Sequence, residues 1–288
     1  MSEKVFCLIG HPLGHTMSPF IHEQLFVASG TNGRYGVTDI DPDRFDSSLA
    51  SLMSVDGFNI TIPYKQRIIQ AVDRLDRSAK LCGAVNTVSC GREAVGYNTD
   101  MYGFIGALEH AGISLCGRIL VCGAGGAARA VAFAAALSKC ELLIAVRRGS
   151  EEKAELLCRE ISEKLPDARA KAILYDDIDS IDGRFSLAVN ATPVGMYPHV
   201  GTSVLTEEQI LRCDAVYDLI YNPRKTELIK IAEKHGIKCD SGMSMLVMQA
   251  GKAHEIWNGA KFDNGTIAQI TADAEDEMQR IFAVGGAK

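Results

Sequence analysis

The sequence predicts an α/β protein of two halves, each built around a mostly parallel sheet. Three observations predict it. Short apolar, strand-like runs alternate with helical stretches from residue 5 to about residue 240, and such alternation implies right-handed crossovers and parallel strands. Near mid-chain the apolar run 119–122 passes straight into Gly123-Ala124-Gly125-Gly126-Ala127-Ala128 and an alanine-rich stretch to Leu137. This is the strand, glycine turn and helix of a Rossmann-type dinucleotide-binding unit. Finally, 288 residues suit two domains better than one.

In order, residues 5–9 read as a strand, followed by Gly10-His11-Pro12-Leu13-Gly14-His15-Thr16-Met17-Ser18-Pro19 and a helix to about Ala28. Ser18 before Pro19 reads as an N-cap with proline at the first helical position. Two hydroxyls, Thr16 and Ser18, beside a helix N-terminus also suit a carboxylate ligand; the local sequence alone is satisfied by the cap. His11 and His15 are four apart, but Pro12 and Gly14 exclude a helical metal pair, and His22 sits in the helix without a partner motif. Residues 35–40 form the next strand, and Asp41-Pro42 opens a helix to about Met53. A third strand covers 57–63, with Tyr64 and Lys65 starting a short helix. Ligands of such sheets collect beyond the carboxyl ends of the strands, where Thr61 and Lys65 lie. A lysine at a helix start gains nothing from the dipole, which hints at another use.

Residues 81–90 and 93–98 read as a hairpin around Gly91, which puts Asn86 in mid-strand, where an amide either faces solvent or needs partners. Asn98-Thr99-Asp100 caps a helix running to about His110. In the glycine unit, Gly123 makes the turn, Gly125 admits close approach of a diphosphate, and Ala128 lets the helix pack on the strand. The strand 141–146 then ends in Arg147 and Arg148. An NAD site places a carboxylate here to hold the ribose hydroxyl; two arginines favour the 2′-phosphate of NADP. A helix over 151–165 and strands at 170–174 and 185–190 continue the rhythm, the last opening a loop to Met196 that faces the nicotinamide end. A strand at 215–219, a helix at 226–235, a strand at 237–239 and helical stretches from Ser241 and over 267–282 complete the chain. Met243, Met245 and Met248 read as adaptable core. Domain joints are expected at the helices near 101 and 241.

A net charge of −6 and a pI near 5.7 argue against nucleic-acid binding. No apolar run is long enough to span a bilayer, and the first residues lack the basic start and cleavage site of a signal peptide. Nine scattered cysteines, an odd number without paired spacing, read as reduced thiols in a cytoplasmic protein and give no metal site.

Together these pieces resemble the shikimate dehydrogenase family, including its quinate/shikimate members, over nearly the whole chain. The resemblance rests on Gly10-x-Pro12 with His15-Thr16-x-Ser18-Pro19, Asn59-Ile-Thr-Ile-Pro-Tyr-Lys65, Gly83-Ala-Val-Asn86-Thr87 and Asn98-Thr99-Asp100. It continues through Gly123 to Ala128, Asn190-Ala-Thr-Pro-Val-Gly-Met196, Tyr217-Asp-Leu-Ile-Tyr221 and Gly242 to Ala250. It implies an N-terminal α/β substrate domain (1–100 plus 241–288), a Rossmann-like NADP-binding domain (101–240), an active-site cleft between them, and NADP-linked, reversible reduction of 3-dehydroshikimate to shikimate. It makes Lys65 and Asp100 the catalytic pair. Thr16 and Ser18 become the carboxylate-binding hydroxyls, and Thr61, Asn86, Tyr221 and Gln249 further substrate contacts. It puts Gly123, Ala124, Gly125, Gly126 and Ala127 on the diphosphate, Arg147 and Arg148 at the adenosine phosphate, and Thr192, Met196 and Gly242 on the cofactor. The chain departs from the family's usual residues at Thr16 (serine), His11 (asparagine), Val146-Arg147-Arg148 (Asn-Arg-Thr) and His254 (phenylalanine), which bears on substrate and cofactor preference. Two alternatives stand: a quinate or aminoshikimate dehydrogenase using NAD, and a non-catalytic NADP-binding sensor. The expected partner is a small-molecule substrate, and the expected state monomer or homodimer.

Overall fold

The computed structural model describes residues 2–14 and 16–285, so His15 lies outside the described residues. By their internal contacts the residues divide into two units: the chain up to Gly103 with Leu246 onward, and Phe104–Met245. The boundaries fall inside two helices.

The first unit contains β1 (Lys4–Gly10), α1 (Ser18–Ser29), β2 (Gly33–Asp39), α2 (Phe45–Leu52), β3 (Gly57–Ile60), β4 (Arg74–Leu75), α3 (Arg77–Cys82), β5 (Thr87–Ser89), β6 (Val95–Tyr97) and the start of α4 (Asp100–His110). The sheet order is β2-β1-β3-β5-β6-β4, with β5 antiparallel to β3 and β6 and the other pairs parallel. Alternation along β1 sends Cys7 and Ile9 to the face shared with Phe45, Phe58, Tyr64 and Ile68, and Phe6 to the face holding Phe26 and Trp257. The Trp257 indole donates to the Val88 carbonyl at 2.9 Å. Gly57 makes room for it, since a Cβ there would lie 2.4 Å from the indole nitrogen.

Three local expectations are corrected here. Residues 81–90 are not one strand: Asp76 caps α3 by accepting from the Ala79 N–H at 2.9 Å, Gly83 at φ +60° ends it, and β5 begins only at Thr87. Asn86 therefore precedes the strand. Lys65 starts no helix; β3 ends at Ile60, Lys65 lies in the following turn, and a 3₁₀ stretch begins at Arg67, so the dipole has no bearing on it. The N-cap of α1 is Met17, not Ser18; Ser18 is the first helical residue, and its N–H donates to Thr16 Oγ1 at 3.2 Å.

The second unit holds β7 (Arg118–Cys122), α5 (Gly126–Leu137), β8 (Glu141–Val146), α6 (Glu151–Lys164), β9 (Arg169–Leu174), β10 (Leu187–Asn190), α7 (Glu207–Ile210), β11 (Ala215–Asp218), α8 (Glu227–Lys234) and β12 (Lys238–Ser241). Then come α9 (Gly242–Asn258), which crosses back, and α10 (Asn264–Gly285). The sheet is parallel throughout, in the order β12-β11-β10-β7-β8-β9, so strand order reverses between β7 and β10. Leu143, Leu120, Ala188 and Val216 stand in register on one face, packed with Leu228, Ile229 and Ala232 of α8. The alanines of α5 from Ala128 onward are buried and bring that helix onto β7 and β8. None of the nine cysteines is joined in a disulfide; burial pushes the Cys7 thiol up to about 11 and the Cys213 thiol to about 12.

The first unit buries two imidazoles against each other. His22 Nδ1 lies 3.0 Å from His254 Nε2, and the His22 ring stacks on Tyr35 at 3.9 Å. Burial lowers His254 to about 4; burial and then His254 hold His22 well below the ordinary histidine range. Unfolded, both titrate near ~6.5. Between those values the unfolded chain binds more protons, so the pair's contribution to stability is complete above about pH 6.5 and is lost as pH falls toward 4. Urea midpoints are expected to drop over that window in the wild type and to drop less in His254→Phe. Parallel profiles would locate the acid sensitivity elsewhere.

Candidate active site and nucleotide-binding loop

In the first unit a chain of buried polar groups ends on a charged pair. Lys65 Nζ lies 2.5 Å from Asp100 Oδ2, with side-chain exposures of 17% and 10%. The turn after β3 supplies the lysine, the first residue of α4 the aspartate. Asn86 donates to Asp100 Oδ1 at 2.7 Å, to Thr99 Oγ1 at 3.0 Å and to Gln249 Oε1 at 3.2 Å. Its own oxygen accepts from the Thr99 N–H at 2.8 Å. The awkward amide of the sequence is thus buried and fully engaged. Thr99 Oγ1 also reaches Gln249 Oε1 at 3.2 Å. With the Gln249 oxygen taken twice, its amide nitrogen is the group left to serve a ligand. Thr16 Oγ1 donates to Ser18 Oγ at 3.2 Å, so these two hydroxyls form one cluster at the start of α1. Thr61 is half-buried at the end of β3, its methyl against Gly10.

Tyr221 belongs to the second unit, and burial raises its phenol. His11 bonds elsewhere: its Nδ1 lies 2.7 Å from Asp39 Oδ1, and that bond, with one from the Leu13 N–H, lowers the Asp39 carboxyl.

The glycine loop of the second unit leaves β7 at the point of strand-order reversal. Gly123 has φ +107°, and a Cβ on it would stand 3.0 Å from the Thr192 methyl and 3.1 Å from the Ala191 carbonyl; only glycine fits. Gly125 is the N-cap of α5, makes no side-chain cap, and has nothing within 4 Å of its would-be Cβ. Gly125 and Gly126 are exposed, while Ala124 and Ala127 are half-buried. Open backbone N–H groups at the start of a 12-residue helix fit a diphosphate. Beside this loop, Thr192 is held by Asn190 Oδ1, which accepts from its N–H at 3.0 Å and its hydroxyl at 2.7 Å. Asn190 in turn donates to Asp218 at 3.0 Å. Met196 is exposed.

Arg147 and Arg148 follow β8, both exposed, but differ. Arg148 Nη2 lies 2.9 Å from Asp176 Oδ2, whereas Arg147 makes no ion pair among the described residues. Gly242 has a packing role: a Cβ there would lie 2.1 Å from the Leu219 carbonyl oxygen. Sequence reasoning missed Tyr35, Asn59 and Asp218. The first two join the network above; Asp218, raised to about 6 by burial, braces Asn190 and the Thr226 hydroxyl. A buried amide in mid-strand was the available signal for Asn59. Among the described residues no group of His, Cys, Asp or Glu is placed to hold a metal, and no helix is long and apolar enough to cross a membrane.

A sheet reversing at a glycine loop in one unit and a partly buried Lys–Asp pair in the other define a two-unit α/β protein of the dinucleotide-binding class. A family profile described as the shikimate dehydrogenase substrate binding domain matches residues 8–88. The shikimate dehydrogenase (NADP(+)) of Methanocaldococcus jannaschii is 40% identical over 279 residues, 93% of this chain and 98% of that one. Among solved structures, a chorismate mutase/shikimate 5-dehydrogenase fusion protein from Clostridium acetobutylicum aligns with a TM-score of 0.87 and 31% identity, covering 97% of this chain and 100% of that one. Shikimate 5-dehydrogenase from Thermus thermophilus in complex with NADP(H) and shikimate aligns with a TM-score of 0.82 and 31% identity, over 94% and 99%. The chain belongs to the shikimate dehydrogenase family.

The two glycine environments predict opposite outcomes. Gly242→Ala is expected to cost roughly 2–4 kcal/mol of folding stability. Gly125→Ala, with open space around it, is expected to stay within about 1 kcal/mol of wild type. Urea unfolding checks both; a wild-type midpoint for Gly242→Ala would show that the close approach to Leu219 is not a constraint.

Proposed function

We propose that this chain catalyses the reversible, NADP-linked reduction of 3-dehydroshikimate to shikimate. The observation that carries the reading is the Lys65–Asp100 pair, held by Asn86 within the unit whose residues match the substrate-binding profile. NADPH, when bound, supplies the hydride. As charge develops on the substrate carbonyl oxygen, the Lys65 ammonium stabilises it and delivers the proton; in the reverse direction the neutral amine takes the hydroxyl proton. Asp100 fixes the ammonium in place, and its second oxygen is occupied by Asn86, which leaves Lys65 one preferred position. The clustered hydroxyls of Thr16 and Ser18 bind the substrate carboxylate. Thr61, Asn86, Tyr221 and the free amide nitrogen of Gln249 contact the ring hydroxyls or carboxylate. The methyl of Thr16 bears on fit between shikimate and quinate, and a side-by-side assay of the two settles the preference.

The cofactor rests on the second unit. Gly123, Ala124, Gly125, Gly126 and Ala127 hold the diphosphate, Arg147 takes the 2′-phosphate, and Arg148 assists only by leaving Asp176. Thr192 and Met196 line the nicotinamide side, and Gly242, which also packs closely on Leu219, meets the cofactor through its backbone. The substrate domain is the first unit and the NADP domain the second. Nine cysteines outside any disulfide support a reducing, cytoplasmic setting, and the working state is a monomer or homodimer.

Two measurements test this. Lys65→Ala is expected to lower kcat for shikimate-dependent NADP⁺ reduction by roughly 10²–10⁴-fold with a much smaller change in substrate binding; near-native kcat sinks the mechanism. Arg147→Ala is expected to raise KM for NADP far more than for NAD, and Arg148→Ala less than Arg147→Ala; equal effects on both nucleotides would mean that Arg147 does not read the phosphate.

A further inference from the structure

The polarity of the first unit's network is fixed by two backbone groups. The Thr99 N–H can only donate, so the Asn86 atom 2.8 Å from it is the amide oxygen, and the nitrogen must face Asp100. The Asn86 backbone carbonyl can only accept, so Asn59 turns its Nδ2 there, at 3.2 Å, and donates to Thr87 Oγ1 at 2.9 Å. Asn59 Oδ1 is then left for Tyr35, whose hydroxyl donates at 2.7 Å. Thr87 Oγ1, having accepted from Asn59, donates to Asn86 Oδ1 at 3.1 Å. Every bond in this run points the same way, from the phenol toward the Asp100 carboxylate. Asn59, Asn86, Thr87 and Thr99 are all buried, and such runs strengthen one another in a low-dielectric interior.

Packing alone does not call for Asn59. It sits in the middle of β3, beside the apolar Phe58 and Ile60, where a buried amide has to find several partners. Both of its amide donors go to Asn86 and Thr87, and its acceptor goes to Tyr35. Resting on the dehydrogenase reading above, we infer that Asn59 and Tyr35 are positioning residues, which through Thr87 lock the Asn86 amide so that it aims a donor at Asp100 and thereby seats Lys65. They touch neither Asp100 nor Lys65 themselves.

Tyr35→Phe tests this with little disturbance, because the ring stacked on His22 remains and only the hydroxyl is lost. Shikimate-dependent NADP⁺ reduction is expected to show kcat lowered roughly 3- to 10-fold with KM for NADP unchanged, beside a lower unfolding midpoint from the buried Asn59 acceptor left without its partner. Thr87→Val should do the same, and Thr87→Ser should restore activity. In an Asp100→Ala background, where the run has lost its end point, Tyr35→Phe should have no further effect on the residual turnover. A wild-type kcat for both Tyr35→Phe and Thr87→Val, or an equal loss with and without Asp100, overturns the positioning role while leaving the dehydrogenase reading intact. A wild-type protein that turns over neither shikimate nor quinate overturns both.

Discussion

Taking Lys65 and Asp100 out of water together is the constraint that shapes the first unit. Desolvating an ammonium and a carboxylate is costly, and their attraction offsets the cost only when good geometry and further hydrogen bonds satisfy what remains. Lys65 covers one carboxylate oxygen and Asn86 the other. Asn86 then needs partners of its own and recruits Thr99, Thr87 and Gln249. The pair thus draws together the turn after β3, the entry to β5, the start of α4 and the middle of α9, segments separated by up to 184 residues of chain from Lys65 to Gln249. Removing one member leaves the others with unmet hydrogen bonds, which makes the set rise or fall together.

The second unit solves a different problem by different means. Its loop offers backbone rather than side chains, so the requirement is negative: no Cβ at Gly123 and nothing over Gly125. Side chains enter only as braces, Asn190 holding Thr192 and Asp218 holding Asn190. Arg148 shows how local surroundings qualify a motif. Its charge fits a phosphate by sequence, yet an exposed carboxylate already sits against it, an arrangement worth little in water and readily exchanged.

How much could be read from the sequence follows from these differences. The β7–glycine–α5 passage is contiguous, its rules are steric, and the strand, turn and helix fall where the residues place them. Asp100 at the head of a helix was legible for the same reason. Lys65 and Asn86 were found, but with the wrong local setting, because short segments near Gly83 and Pro63 are decided by caps and turns rather than by apolar runs. Asn59 stood only as the first residue of a motif, with no role of its own, and Tyr35 only as a residue in a strand. Their importance lies in partners 24 to 28 residues away, and no local pattern marks which amide will meet which hydroxyl. The partnership of His22 with His254 was hidden further still, across 232 residues.

The buried thiols carry a practical consequence. Cys7 lies within the first sheet, and Cys122 and Cys213 within the core of the second. Burial holds all three above their ordinary range, so at neutral pH they are kept as unreactive thiols. An alkylating reagent can modify them only when the surrounding structure opens. Each unit therefore contains its own chemical clock, and the rates at which Cys7 and Cys213 become labelled would read the opening of the two units separately, in one sample and without any engineered probe.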